Sequence, residues 1–270
     1  MTRLKTEWIT YMLDGMDAYN RQLAEKTGFD LAALMQETFD LSDEELAEAR
    51  SQKKIAVVPI TQGEGIIGSF SESVAAIVKS MGFTADVMEH TDVDGIYDAS
   101  RQGYDILFFA DDVRYLALNI KTGKSSDNNY ATALGFIQAL RGLMKKHGKD
   151  LRKEKILQIG YGIVGKEAAS LLRDMGVSFD LYDKDAAVMV GVKEHTVDTQ
   201  DAIKQYGYIL DFTNEGDWLK KADLAEDVLY ASPGVPYSMD DEAAECFEDR
   251  AIHDNLEIGT AIMLGQVLKG

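Results

Sequence analysis

A chain of 270 residues with 28 Lys and Arg against 46 Asp and Glu carries a formal net charge of −18. Such a field repels phosphate backbones and anionic headgroups, which excludes nucleic acid and membrane surface as first partners. The length suits two domains, or one large α/β unit with a smaller attachment, and is ample for an enzyme core. The single cysteine, Cys246, lies in the acidic run DDEAAECFEDR, so an internal disulfide and a cysteine-cluster metal site are excluded and a reactive thiolate is disfavoured. No apolar run approaches a membrane span and the start lacks a cleavage pattern, so a cytoplasmic location is expected.

Trp8, Met12, Met16, Tyr19 and Leu23 recur at helical spacing and predict an amphipathic helix at the N-terminus. Asp30 suits the cap of a second helix carrying Leu31, Leu34 and Met35, and Ser42 with Glu45 fits a capping box for a third. This helical prelude, residues 1–50, reads as packing surface: a lid, a clamp or a dimer arm. From Lys54 the pattern changes. KIAVVPI predicts a strand; Phe70, Val74, Ile77, Val78 and Met81 form one face of a helix ending near Gly82; TADVM is a second strand. A helix around residues 93–102 leads into DILFFADD, a buried strand ending in two aspartates. The resulting β-α-β-α-β series implies parallel strands with right-handed crossovers. A long helix from about Asn129 to His147 then stops at Gly148, and the charged KKHGKDLRKEK marks a junction near residue 150. The expected fold is α/β: a C-terminal Rossmann-like doubly wound parallel sheet over residues 151–270, preceded over residues 1–150 by a helical segment and a substrate-binding α/β region.

Residues 154–185 carry the clearest chemistry. A strand runs into Gly160, Gly162 and Gly165, spaced G-x-G-x-x-G, then a helix with Ala168, Leu171 and Leu172, then a strand ending at Asp183. In a dinucleotide-binding turn the first glycine permits the turn, the second admits the pyrophosphate to the backbone, and the third lets the helix pack on the strand. Gly160, Tyr161, Gly162, Ile163, Val164 and Gly165 are therefore the candidate pyrophosphate cradle. Asp183 stands where a carboxylate accepts from ribose hydroxyls and repels a 2′-phosphate, which favours NAD over NADP; Lys184 could answer a phosphate but holds the poorer position. Downstream, YILDFTNEGD and VLYASPGVPY read as later strands of the same sheet. Thr213, Ser232, Pro233 and Gly234 follow their carboxyl ends and are candidates for the nicotinamide side, with ordinary turn chemistry the competing account. The closing EIGTAIMLGQVLKG predicts a helix from Thr260 packed on the Rossmann layer.

The stretch GEGIIGSFSES, residues 63–73, resembles a second glycine-rich turn at a helix start, where backbone N–H groups and serine hydroxyls suit a carboxylate or phosphate. Glu64 and Glu72 would repel an anion, a conflict that a ligand bearing both carboxylate and ammonium resolves. The competing account is a glycine turn with Ser69 or Ser71 merely capping the helix. Asp111 and Asp112 form the other candidate site: carboxylates at a strand end can hold an ammonium, act as a general base or bind a divalent cation, and strand alternation points only one of them into a cleft. Asn119 and Asn128 follow in a polar segment and offer amide contacts. His90, His147, His195 and His253 lack metal-ligand spacing, so no metal site is expected.

VVPITQGEGIIGSFSES, ADD, SPGVP and EIGTAIML together resemble the pyrrolysine synthase (PylD) family, the last step of pyrrolysine biosynthesis, from about residue 54 onward. The resemblance implies NAD-dependent oxidation of the terminal amine of 3-methylornithinyl-Nε-lysine, ammonia release, and closure of the resulting aldehyde on the ornithine α-amine to a pyrroline ring. By match to ADD it implies Asp111 as the group that holds the ammonium and relays its proton, with Asp112 as the alternative. Ser69, Ser71, Glu72, Asn119 and Asn128 become the substrate-side choices, and a homodimer is expected. Two other readings stay open: another NAD-dependent oxidoreductase acting on a small amino or imino acid, and a non-catalytic NAD-binding sensor.

Overall fold

The computed structural model describes residues 4–197 and 199–269. Capping decides where its early helices begin. The Asp30 carboxylate accepts from the Ala33 amide at 2.8 Å and opens α2 (Leu31–Phe39). Ser42 and Glu45 satisfy one another's amides in a capping box that opens α3 (Asp43–Gln52). Ahead of them α1 spans Met12–Thr27, and the predicted N-terminal helix is interrupted before it by a 3-10 turn at Thr6–Trp8. The amide and the hydroxyl of Thr10 both take the Thr6 carbonyl, at 3.1 and 2.7 Å, which closes that turn on itself.

The residues divide into two units. The first comprises the chain up to Gln22, Asp30–Ala131 and the stretch from Leu256 onward. Its sheet runs β2-β1-β3-β4-β5. Strands β1 (Lys54–Val57), β2 (Thr84–Val87) and β3 (Ile106–Ala110) are parallel, joined through helices α4 (Phe70–Ser80) and α5 (Asp92–Arg101), as the alternation of patterns predicts. The segment read as polar loop instead forms β4 (Tyr115–Asn119) and β5 (Ser125–Asp127), both antiparallel. YLALN alternates buried and half-buried residues, a period too short to stand out from its polar surroundings.

The second unit comprises Leu23–Phe29 and Thr132–Asn255. The division therefore falls within α1 and within the long helix α6 (Asn128–Lys146) rather than near residue 150. Its sheet is wholly parallel, in the order β10-β9-β8-β6-β7, with β6 (Lys155–Ile159), β7 (Ser178–Tyr182), β8 (Tyr208–Asp211), β9 (Leu229–Ser232) and β10 (Ala251–His253). The chain leaves β6 for β7 on one side and builds β8, β9 and β10 on the other, so the strand order reverses beside β6, the position where open α/β sheets bind ligands. Helix α7 (Ile163–Asp174) follows β6, and α8 (Asp241–Cys246) precedes β10. One core of this unit gathers Leu157, Ile159, Ile209, Val228 and Tyr230.

The final helix, α9 (Glu257–Leu268), belongs to the first unit, not to the Rossmann layer as its apolar sequence led us to expect. Asn119 Nδ2 donates to the Val267 carbonyl at 3.1 Å, Ser126 Oγ to Gln266 at 2.6 Å, and Tyr115 and Thr260 pair their hydroxyls at 2.9 Å, all tying α9 to β4 and β5. On its other side a Cβ at Gly265 would stand 2.5 Å from Phe39 and 2.6 Å from Met35, so α2 approaches to within backbone contact. A helix apolar all round needs cover on both sides, and α2 and the sheet supply it. No helix among the described residues is long and apolar enough to cross a membrane.

Candidate functional site

In the second unit the glycine turn separates what the fold requires from what a ligand requires. Gly160 has φ +84°, and a Cβ there would lie 2.9 Å from the Phe212 carbonyl carbon. A Cβ on Gly165 would fall 2.2 Å from the Gly160 oxygen, inside the turn itself. Both glycines are thus demanded by the protein's own packing. At Gly162, the first cap of α7, a Cβ would meet nothing within 4 Å. No described residue crowds a side chain there, whereas a phosphate resting on the α7 amides would. Beneath the turn the wholly buried Gln158 donates its amide to Gly160 O (3.0 Å) and Gly165 O (2.8 Å), stapling the two ends of the motif together. Ile163 and Val164 form the first turn of α7, with Ile163 66% exposed.

Asp183 follows β7 and joins the same turn, its Oδ2 accepting from the Tyr161 amide at 2.7 Å and its Oδ1 from Asp185 N at 2.9 Å. Two cations near this turn are paired, Lys184 with Glu215 and Arg173 with Glu194 through Nε and Nη2, while Lys166 stands over the Tyr161 ring at 5.7 Å. The Glu194 bond raises the Arg173 pKa further, and Glu194 is held below the usual carboxylate range by the same contact.

Beyond β8 and β9, the loops touch. A Cβ on Gly234 would lie 2.3 Å from the Thr213 carbonyl, and Gly234 N donates to Ser232 Oγ at 3.0 Å, with Pro233 half-buried between them. Thr213 is held from below by the fully buried Asp211, which the sequence reading did not single out. His253, dismissed for want of metal spacing, stands at the carboxyl end of β10 with its ring stacked on Tyr237 at 4.0 Å. Its Nδ1 faces the Ser232 carbonyl at 3.0 Å and must carry the proton, and burial pushes its pKa down to about 4.

In the first unit, Ser71, Asp111 and Asp112 line one pocket together with Leu4, Ile66, Ile67 and Phe70. Strand alternation does not separate the two aspartates, because β3 ends at Ala110 and both lie in the turn that follows. Asp111 Oδ1 accepts from Val113 N (2.8 Å) and Arg114 N (2.7 Å) and closes that turn. Asp112 Oδ2 accepts from Glu64 N at 2.6 Å, reaching across to the glycine-rich stretch. That stretch is anchored a second time by Asp92, whose carboxylate takes Thr61 N at 2.8 Å and Thr61 Oγ1 at 2.7 Å. Asp92 adopts φ +55°, an uncommon conformation for a residue with a side chain, and its hydrogen bonds from Thr61 lower its pKa.

The expected capping serine is not a side-chain cap. Ser69 occupies the cap position of α4 with φ +65° and makes no capping bond through its hydroxyl. Ser71 is buried against the pocket, while Glu72 is exposed on the same first turn. Asn128 starts α6 beside Asp127, which is opposite Leu116 and paired with Arg114, at the same sheet end as Asp111. Asn119 is not brought to this end. It sits opposite Ile106, at the far end of β4, and its side chain serves the Lys121 and Thr122 amides and the α9 backbone. Leu4 and Glu257 were not anticipated. Glu257 is fully buried, accepts from Tyr11 Oη, and lies one turn before Thr260 on α9. A carboxylate opening a helix as apolar as IGTAIML was the available signal, since such a helix end is buried with whatever it carries.

Residues 9–126 match the family described as Pyrrolysine biosynthesis protein PylD, N-terminal domain. Over 269 aligned residues the chain is 30% identical to the pyrrolysine synthase of Methanosarcina acetivorans, covering 94% of this chain and 98% of that protein. The chain belongs to the pyrrolysine synthase family. It is an enzyme, and the resemblance read from its motifs is borne out. The pyrrolysine synthase of Methanosarcina barkeri is 32% identical over 225 residues, 81% of this chain and 82% of that protein. Among solved structures, the bifunctional 5,10-methylenetetrahydrofolate dehydrogenase/cyclohydrolase of Thermoplasma acidophilum superposes with a TM-score of 0.50 at 11% identity, over 87% of this chain and 95% of that one. What the two share is the fold.

Proposed function

We propose that this enzyme is an NAD-dependent pyrrolysine synthase, with its first unit binding 3-methylornithinyl-Nε-lysine and its second binding the dinucleotide. The observation that carries the reading is the grouping of Asp111, Asp112 and Ser71 around one pocket beside a glycine-rich turn. Two carboxylates beside exposed backbone suit a ligand with both ammonium and carboxylate groups. When bound, NAD⁺ accepts the hydride from the amine-bearing carbon. That transfer requires the nitrogen lone pair, so the ammonium must first lose a proton. Asp111 Oδ1 is engaged by its own turn, which leaves Oδ2 to hold the ammonium and take the proton. Water then replaces the imine nitrogen, ammonia leaves, and the aldehyde condenses with the α-amine with loss of that water equivalent.

The open space above Gly162 supports a pyrophosphate at the α7 start. Asp183 would repel a 2′-phosphate, and Lys184, the cation next to it in the chain, is paired with Glu215; both support NAD over NADP. Purified protein mixed with NAD⁺ and 3-methylornithinyl-Nε-lysine is expected to yield NADH, read by absorbance, and a product lighter by one ammonia and two hydrogens, read by mass. Binding of NAD⁺ without reduction in that mixture would transfer the enzyme to another amine or imine substrate. Undiminished turnover in both Asp111→Asn and Asp112→Asn would remove the assigned base.

A further inference from the structure

The carboxyl ends of β6, β8 and β9 converge on one residue. A Cβ on Gly160 would stand 3.0 Å from Thr213 N, and one on Gly234 would stand 2.3 Å from Thr213 O. Asp183 lies on the opposite side of β6, after β7. With the adenosine end at Asp183 and the pyrophosphate at Gly162, the other end of a dinucleotide extends toward β8 and β9, where Thr213 waits.

The hydrogen-bond polarity of Thr213 is fixed from beneath. Asp211 is 0% exposed; its Oδ1 accepts from Thr213 N at 2.8 Å and Thr213 Oγ1 at 2.7 Å, and Tyr230 Oη lies 2.6 Å from its Oδ2. Burial raises its pKa, and a proton it took up would sit on Oδ2 toward Tyr230, leaving Oδ1 an acceptor. A backbone N–H can only donate, and Tyr230, its pKa raised well above the ordinary value by burial, keeps its proton. A hydroxyl has one hydrogen, and that of Thr213 is directed at Asp211. Ser238, buried 2.9 Å from Thr213 Oγ1, must then turn its own hydrogen inward, to Thr213 or to Asp211. Asp211, Tyr230 and Ser238 are all buried, whereas Thr213 is half-buried. What the cluster offers outward is a lone pair on Thr213 and no hydrogen.

We propose that Asp211 makes Thr213 an obligate hydrogen-bond acceptor, which selects a nicotinamide ring through the N–H₂ of its carboxamide. The inference rests on the dinucleotide reading of the second unit. It assigns Thr213 as a specificity-determining residue and Asp211 and Ser238 as positioning residues acting through it.

The test compares equilibrium binding, by calorimetry and without substrate, of NAD⁺ and of its 3-acetylpyridine analogue, in which a methyl ketone replaces the carboxamide and the donor is lost. The wild-type protein is expected to prefer NAD⁺ by about tenfold, the scale of one buried hydrogen bond. Thr213→Val keeps the shape and removes the acceptor; it should lower NAD⁺ affinity to that of the analogue and leave the analogue's affinity unchanged. Asp211→Leu, which removes the acceptor beneath Thr213 and frees its hydrogen to turn outward, should erase the same preference. Thr213→Ser should restore it. Equal binding of the two dinucleotides by the wild-type protein, or a wild-type ratio in Thr213→Val, overturns the inference while leaving the cofactor reading intact. Failure of the wild-type protein to bind either dinucleotide overturns the cofactor reading and this inference with it.

Discussion

The carboxylate of Asp112 occupies the space that a side chain on residue 63 would need: a Cβ there would lie 2.1 Å from Asp112 Oδ2, the same oxygen that accepts from Glu64 N. Gly63 also has φ +86°. Gly63→Ala is therefore expected to cost about 1–2 kcal/mol from backbone conformation alone and to displace Asp112 from the turn. Its kcat/KM should fall at least about tenfold. If the clash is the larger part, adding Asp112→Ala to Gly63→Ala should make stability no worse than the glycine variant alone. A double-mutant cycle on melting temperatures and kcat/KM checks this, and strict additivity would refute the coupling.

Asp92 ties the loop after β1 to the start of α5 by three bonds: its own amide to Pro59 O at 2.9 Å, and its carboxylate to both donors of Thr61. Asp92→Ala leaves the left-handed backbone in place while removing the ties, so the glycine-rich turn should lose its fixed entry. The expected result is a KM for the amine substrate raised about five- to tenfold with kcat changed less than twofold, the pattern of weakened ground-state positioning. Asp92→Asn retains an acceptor for Thr61 and should recover most of the loss. Equal losses in KM and kcat for both variants would point to a general structural role instead.

The legible parts of this molecule were those whose residues have one physical use. Gly160 and Gly165 are forced by contacts under 3 Å, Ser42 and Glu45 by a reciprocal cap, and Asp111 and Asp112 stand in the turn directly after a buried strand's carboxyl end. The parts that escaped depend on distant partners. Five alternating residues did not distinguish β4 from loop, and three could not announce β10. The sequence of α9 called for burial without naming the sheet that provides it. Asn119 has the right chemistry for a ligand, but its register places it at the wrong end of β4. Asp92 and Asp211 look like ordinary loop and strand-end acids until their donors are known.

The place of α9 yields a prediction of its own. Ending the chain at Asn255 would strip Tyr115, Asn119 and Ser126 of their α9 partners and uncover the faces of α2 and the first sheet. Residues 132–255, with their own core and wholly parallel sheet, lose nothing internal. The truncated chain should lose cooperative melting of the first unit and bind a hydrophobic dye, while a structured C-terminal portion survives limited proteolysis. Loss of protection in the second unit instead, with the first intact, would contradict the assignment of α9. A subtler probe is Thr260→Val, which leaves the buried Tyr115 hydroxyl without its partner and is expected to cost about 1–3 kcal/mol.

His253 makes stability depend on pH in a direction set by its burial. Its folded pKa is lowered to about 4 from the ordinary 6.5. Above pH 6.5 the ring is neutral in both folded and unfolded chains and contributes no pH dependence. Between 6.5 and 4 the unfolded chain takes up a proton that the folded chain refuses, so stability falls as pH drops through this window and levels off below it. At about 1.4 kcal/mol per pKa unit the full loss is roughly 3 kcal/mol. Asn at this position can still donate to the Ser232 carbonyl but cannot titrate. The His253→Asn protein should therefore be less stable than the wild type at pH 7.5, where stacking on Tyr237 is lost, and should show a smaller fall in melting temperature between pH 7 and pH 4.5. Carboxylates elsewhere titrate equally in both proteins, so the difference between the two curves isolates the imidazole. Parallel curves would mean that the His253 ring is solvated enough to protonate in place, and that its bond to Ser232 does not fix a neutral tautomer.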